Sequence, residues 1–226
     1  MDDASREGAP VLGREVVHGD ALTWLRDHPA MPAVSVVTSL PDVSEVGTTL
    51  ERWRELFVEA ATLALRSTPD EGLTVFFQTD LKREGRWISK ASLVLRAAEE
   101  ADVPLLWHKI VCRRAVGQPV PGRPGYSHLL AFSRGVLDDP SRATADVLPD
   151  LGHMPWSHSM GTRAAEVAMH AIRTMSPSTR TVVVPFCGIG TALAVANAHG
   201  YEAIGIEKNR KRAERARTLE LGADPR

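Results

Sequence analysis

The sequence predicts an α/β fold, a mostly parallel sheet with helices on both faces, and three observations carry the prediction. Strand-like apolar runs alternate with helical patterns along the chain, the order that parallel strands joined by crossover helices require. One run, Thr181-Val182-Val183-Val184, is β-branched with no polar alternation, as in a strand covered on both faces. Directly after it, Gly188 and Gly190 open a helix closed by Gly200, and a second apolar strand, Tyr201 to Ile206, ends in the carboxylate of Glu207. Such glycines let a ligand approach the backbone where helix N–H groups are free, and a strand-end carboxylate accepts from paired hydroxyls such as those of a ribose.

The elements follow in order. Residues 1 to about 13 read as a loose end. Glu15 to Asp20 is a short strand running into a turn, followed by a short helix through Ala21, Leu22, Trp24 and Leu25. Ala33 to Thr38 is a buried strand that stops at Ser39-Leu40-Pro41-Asp42. Leu50, Trp53, Leu56, Phe57, Ala60 and Ala64 keep helical spacing and predict an amphipathic helix over about 49–66. Leu73 to Phe77 is a strand, and a helix is expected from about Trp87 to Ala101. Leu105 to Cys112 and Ser127 to Ser133 are strands on either side of a loop rich in glycine and proline, 114–126. Residues 135–160 are irregular, and a loop of that length is functional or disordered. Thr162 is placed as the N-cap of a helix to about Met175, and a basic helix from Lys208 to about Leu221 ends the chain.

Composition narrows the class. At 226 residues and 43% hydrophobic content, the chain can bury one substantial core, so a single domain over 1–226 is expected. A formal charge of −1 excludes a globally basic polyanion binder but leaves room for a local patch. Cys112 and Cys187 form no disulfide framework and point to a reducing compartment. No stretch has the length of a membrane span, and Met1-Asp2-Asp3 does not begin a signal peptide, so the expected location is cytoplasmic, with no membrane partner.

The glycine turn, Pro185-Phe186-Cys187-Gly188-Ile189-Gly190-Thr191, lacks the three-glycine spacing of a dinucleotide site. It resembles the Asp-Pro-Phe-x-Gly-x-Gly-Thr signature of S-adenosylmethionine-dependent methyltransferases that modify amino groups of nucleobases, with Val184 where that family carries Asp. The turn lies near the C-terminus instead of after the first strand, which is the chain order of the permuted members. Other segments are similar to the family in the same order. His18-Gly19-Asp20-Ala21-Leu22 with Leu25 resembles its Gly-Asp opening, and Ser39-Leu40-Pro41-Asp42 stands where its catalytic Asp-Pro-Pro-Tyr belongs. Leu106-Trp107-His108-Lys109 and His128 to Arg134 resemble two later strands, and His158 to Pro177 resembles the loop and helix before the turn. The resemblance implies a Rossmann-like, seven-stranded, circularly permuted class I methyltransferase.

It also implies roles. S-adenosyl-L-methionine is the expected cofactor, its methionine half held by Pro185, Phe186, Cys187, Gly188, Gly190 and Thr191, its ribose by Glu207 and its adenine amino group by Asp20. Asp20 has a second reading as the N-cap of the helix after it, and Glu207 as a solvated strand-end carboxylate. In the catalytic stretch, Ser39 and the carbonyl of Leu40 or Pro41 would orient the nucleophile, while Asp42, which cannot stack on a base, would accept a proton or bind a donor edge. Trp156 is the candidate for stacking on a flipped base, or else a loop anchor, and His158 lies in the same loop. His108 and Lys109 share an apolar strand, so one of them points into a crevice. Glu45 reads as helix-start charge or a second crevice carboxylate. No His/Cys pair has zinc-site spacing, so no metal is expected. Arg113, Arg114 and Arg123, with the basic last helix, could contact phosphates, although a solvated face also explains that helix.

The expected activity is methylation of a nucleobase, with RNA favoured over DNA because little of the chain is free to form a groove-reading element. A small-molecule or protein substrate is the enzymatic alternative, and a degenerate, partner-binding methyltransferase fold the non-enzymatic one. A homodimer stays open.

Overall fold

The computed structural model describes residues 13–222. Apart from Gly13, the expected loose N-terminus lies outside the described residues. In chain order the elements begin with β1 (Arg14–His18), α1 (Ala21–Asp27), β2 (Val34–Thr38), α2 (Val43–Val46), α3 (Leu50–Arg66), β3 (Thr74–Gln78), β4 (Leu81–Arg83), β5 (Arg86–Ile88) and α4 (Lys90–Glu100). They continue with β6 (Leu105–Cys112), β7 (Tyr126–Phe132), β8 (Val147–Leu148), α5 (Thr162–Met175), β9 (Thr181–Pro185), α6 (Thr191–Ala198), β10 (Glu202–Glu207) and α7 (Arg210–Thr218).

The main sheet runs β1-β10-β9-β2-β3-β7-β6-β8. Neighbours from β1 to β3 are parallel, β7 is antiparallel to both β3 and β6, and β8 lies parallel to β6 at the edge. The period-2 alternation of side chains sends Val182 and Val184 to one face and Val183 to the other. The first face packs on α5 and α6 through Met169, Ile172 and Leu193. The second packs Val36, Phe76, Leu130 and Phe132 under Trp53, Phe57, Leu65 and Val94 of α3 and α4. Burial on both sides is why these strands carry β-branched and aromatic residues without alternation.

Four differences from the sequence reading have physical reasons. The sheet has eight strands instead of seven, because two residues of the irregular stretch, Val147 and Leu148, pair with β6, a strand too short to show periodicity. Trp87 lies in a hairpin and not in the helix expected from that position. Glu84 and Gly85, both at positive φ, turn β4 into β5, and α4 begins only after Ser89, whose hydroxyl accepts from the Ser92 N–H. Thr162 is the first helical residue and Gly161 the cap; the Thr162 hydroxyl accepts from the His153 N–H instead. The four-residue α2 directly follows Asp42 and has no hydrophobic period to announce it.

The arrangement fixes where a ligand can sit. From β9 the chain passes through α6 to β10 on one side, whereas from β2 it passes through α3 to β3 on the other. The direction of winding therefore reverses between β9 and β2, and in open α/β sheets the crevice outside the carboxyl ends at such a point holds the ligand. No helix among the described residues is long and apolar enough to cross a membrane.

Candidate active site

Four strand ends meet at this crevice. After β9, the chain turns through three residues in the left-handed region, Phe186 (φ 56°), Gly188 (φ 58°) and Gly190 (φ 89°). A non-glycine residue such as Phe186 is held there only where its surroundings enforce it, a form of strain that clusters at functional sites. The turn is tied internally, with the Cys187 N–H donating to the Ile206 carbonyl (3.0 Å) and the Gly190 N–H to that of Cys187 (2.9 Å). A Cβ on Gly190 would lie 2.9 Å from the Ala216 Cα, so glycine is required where α7 crosses the turn. Thr191 then begins α6; it is buried, lines the crevice, and its hydroxyl has no partner among the described residues.

Glu207 ends β10 and is buried. One carboxylate oxygen accepts from the Gly188 N–H (3.1 Å) and the other from the Asn209 N–H (2.7 Å), with the Arg212 Nε 3.3 Å away. The Gly188 N–H is therefore engaged by Glu207. Asp20, after β1, accepts from the N–H groups of Leu22 (3.0 Å) and Thr23 (3.1 Å) through one oxygen, and its other oxygen is 3.4 Å from the Lys208 ammonium. The N-cap reading of Asp20 is thus realised, and the residue also lines the crevice. Although burial raises its pKa, the N–H bonds and Lys208 hold this carboxyl below the usual range.

The stretch after β2 is anchored from both sides. The Thr38 hydroxyl donates to the Pro185 carbonyl (2.7 Å), joining the ends of β2 and β9. The Trp53 indole N–H donates to the Pro41 carbonyl (3.0 Å) from α3. Asp42 turns away to form an ion pair with the buried Lys90, while the Glu45 carboxylate accepts from the Asp42 N–H (2.9 Å). Burial pushes the Lys90 pKa down to about 8.

These segments enclose a cavity of about 650 Å³. It brings together Asp20, Ser39, Leu40, Pro41, Trp156, His158, Phe186, Cys187, Gly188, Thr191 and Glu207. Asp42, Pro185 and Gly190 support it from behind without lining it. Lys109 is placed elsewhere, its ammonium held on β6 by the Thr144 carbonyl and Asp146, both at 3.0 Å. Burial and then the Glu207 carboxylate push the Cys187 thiol up to about 12, so it stays protonated as a wall group and not a nucleophile. The sequence reading missed Arg212, which packs over the Trp156 ring (5.4 Å) while reaching Glu207, and the inward placement of Trp53 and Phe57. Trp53 and Phe57 were legible as a helix face, but nothing in the spacing separates a core face from a cavity wall.

The cavity falls within the volume range of small-molecule sites, and its donor set suits an adenosyl amino acid. Glu207 and Asp20 offer acceptors, the orphaned Thr191 hydroxyl needs a partner, and Phe186 and Ile206 form an apolar wall. Val184 lines the cavity as a hydrocarbon, so no carboxylate stands at that position.

Sheet order, the one antiparallel strand within the seven long strands and the position of the glycine turn define the class I methyltransferase fold in permuted chain order. Solved structures share it. The cytosine-N4-specific PvuII DNA methyltransferase matches with a TM-score of 0.72 at 16% identity, over 93% of this chain and 88% of that one. TTHA0409 of Thermus thermophilus, a candidate DNA modification methylase solved in complex with S-adenosyl-L-methionine, matches at 0.66 and 21%, over 91% of each chain. M1.HpyAVI, in complex with SAM, matches at 0.58 and 16%, over 90% and 97%. No family model and no curated protein matches the chain.

Proposed function

We propose that the chain is an S-adenosylmethionine-dependent methyltransferase acting on an exocyclic amino group of a nucleobase, in DNA in preference to RNA. The observation that carries the reading is the shared cavity into which the ends of β1, β2, β9 and β10 deliver Asp20, Ser39, the glycine turn and Glu207. The sequence alone favours RNA; two of the solved neighbours are named as DNA methylases, one of them as a candidate, and that moves the preference to DNA.

The cofactor would supply an electrophilic methyl group on a sulfonium sulfur. The rest of the work falls to the chain. Glu207, fixed by two backbone N–H groups, keeps unused lone pairs for a pair of ribose hydroxyls. The Thr191 hydroxyl, buried without a partner among the described residues, would meet the polar end of the methionine half. Ser39 and the main-chain carbonyl of Leu40 or Pro41 accept from the target amine and direct its lone pair, so that catalysis rests on positioning more than on a strong base. Trp53 steadies that stretch through the Pro41 carbonyl, and Trp156 offers a ring against which an extruded base can stack. Held by Lys90, Asp42 shapes the turn from behind, and the proton shed by the methylated amine would pass to solvent water at the crevice.

Transfer of labelled methyl groups from S-adenosylmethionine to DNA, RNA and a metabolite pool tests this reading. Label is expected in the DNA, on adenine or cytosine amino nitrogens. Label in metabolites alone would contradict it. Val184 and the Asp42–Lys90 pair favour, as a second reading, a fold that binds the cofactor without transfer; cofactor binding with no label in any pool would select it.

A further inference from the structure

A second cavity, of about 700 Å³, lies between the glycine–proline loop and the segment that leads to Trp156. Arg113, Arg114, Arg123 and Gln118 line it together with Leu151 and Met154, and no carboxylate among the described residues does. The half-buried Arg113 guanidinium reaches the hydroxyls of Thr79 and Ser127, each at 3.5 Å. Burial, and then the nearby charges of Arg123 and Arg114, depress its pKa. Three guanidinium groups crowded around a cavity without an acidic wall form a site for an anion, and their planar forks suit phosphate.

The β4–β5 hairpin lies beside this cavity, since Arg113 reaches Thr79 while the Trp87 indole N–H donates to Asp80 (2.8 Å), the next residue. Trp87 is 46% exposed. Its ring stacks on Tyr126 at 6.4 Å between centroids and 28° between planes, and the exposed Lys82 ammonium lies 4.8 Å from the Trp87 ring centroid. A pinned, half-exposed indole with Lys82 over its ring, Arg86 next to it in the hairpin and Arg113 on the neighbouring Thr79 combines a stacking surface with backbone charge, the pairing that unpaired nucleic acid uses. Duplexes hide their base faces.

We infer that the arginine cavity and the Trp87–Tyr126 shelf hold the phosphates and one unpaired base of the polynucleotide strand next to the methyl-accepting nucleotide. The inference rests on the proposed nucleic-acid substrate and adds that the bound form is locally single-stranded. Met154 lines the arginine cavity and Trp156, two residues on, lines the methyl-transfer cavity. One loop therefore separates the two sites, and a strand crossing it occupies both.

The test is fluorescence anisotropy with a labelled single-stranded DNA oligonucleotide, its RNA counterpart and the duplex. It compares the full chain with Arg114→Gln/Arg123→Gln and with Trp87→Ala; all three positions are exposed, and none lines the cofactor cavity. The double arginine variant should bind every polynucleotide more weakly, and its log-affinity against log-salt slope on single strands should be shallower by about 1.4. Trp87→Ala should lose roughly tenfold on single strands and little on duplex. S-adenosylmethionine affinity should stay unchanged in both variants. Wild-type affinity and salt slope in the arginine variant would overturn the phosphate assignment, and equal losses on strand and duplex in Trp87→Ala would overturn the stacking one. If the wild type transfers methyl groups to DNA yet the variants bind as it does, the surface fails while the enzymatic reading stands. If the wild type binds no polynucleotide, both fail.

Discussion

Lys90 shows how one buried side chain sets a cost that pH can reveal. Its ammonium is taken from water and paired with Asp42 behind the turn that follows β2, and burial brings its pKa from 10.5 to about 8. Below about pH 8 folded and unfolded chains both keep the proton, and the full cost of burying the charge is present. Between about 8 and 10.5 the unfolded chain holds the proton while the folded chain has lost it, so this group's contribution to stability rises with pH. In Lys90→Met the rise should be missing. Urea unfolding of both proteins at pH 7.5 and pH 9.5 should show the wild type gaining on the variant at the higher pH, and a constant difference would show that burial does not lower the Lys90 pKa. Neither Lys90 nor Arg212 was legible as a site residue. Each arrives from a helix whose local sequence shows only an exposed or solvated face, and only tertiary packing brings it to Asp42 or Glu207.

At the scale of elements, the strand–turn–helix over 181–198 was legible because three local signals agree there: an unbroken β-branched run, glycines at the turn, and small residues in the helix. Consistency across such levels marks a segment whose structure is locally encoded. The hairpin over 81–88 was not legible. Its three-residue strands are too short for a period-2 signal, and Leu81, Trp87 and Ile88 also fit the start of the helix that follows. Gly190 carries the strictest local requirement, since its φ of 89° and the backbone of α7 behind it both exclude a side chain. Gly190→Ala should destabilise by about 2–5 kcal/mol, the sum of left-handed strain and overpacking, and lower the thermal midpoint by roughly 5–15 °C. A melting curve matching the wild type would show that α7 yields without cost and that the turn is not pinned.

For the whole molecule, the permuted order was legible from sequence because the glycine turn falls near the C-terminus. That order requires the first and last segments to meet in space, and β1 and β10 do pair, in register from Arg14↔Ala203 to His18↔Glu207. That pairing sets Asp20 and Glu207 at neighbouring strand ends, and the Gly19 N–H donates to the Glu207 carbonyl (3.1 Å). Residues far apart in the chain thereby share one cavity with Ser39. The most direct test of this account is calorimetric titration of S-adenosylmethionine into the wild type and Glu207→Gln. The wild type should bind one equivalent saturably. The variant keeps an acceptor oxygen for the Gly188 N–H but loses the charge that the proposed function sets against the ribose, and it should bind roughly 10–100-fold more weakly, as expected for the loss of hydrogen bonds to a charged group. No saturable binding by the wild type, or equal affinity in the two proteins, would contradict the assignment of this cavity.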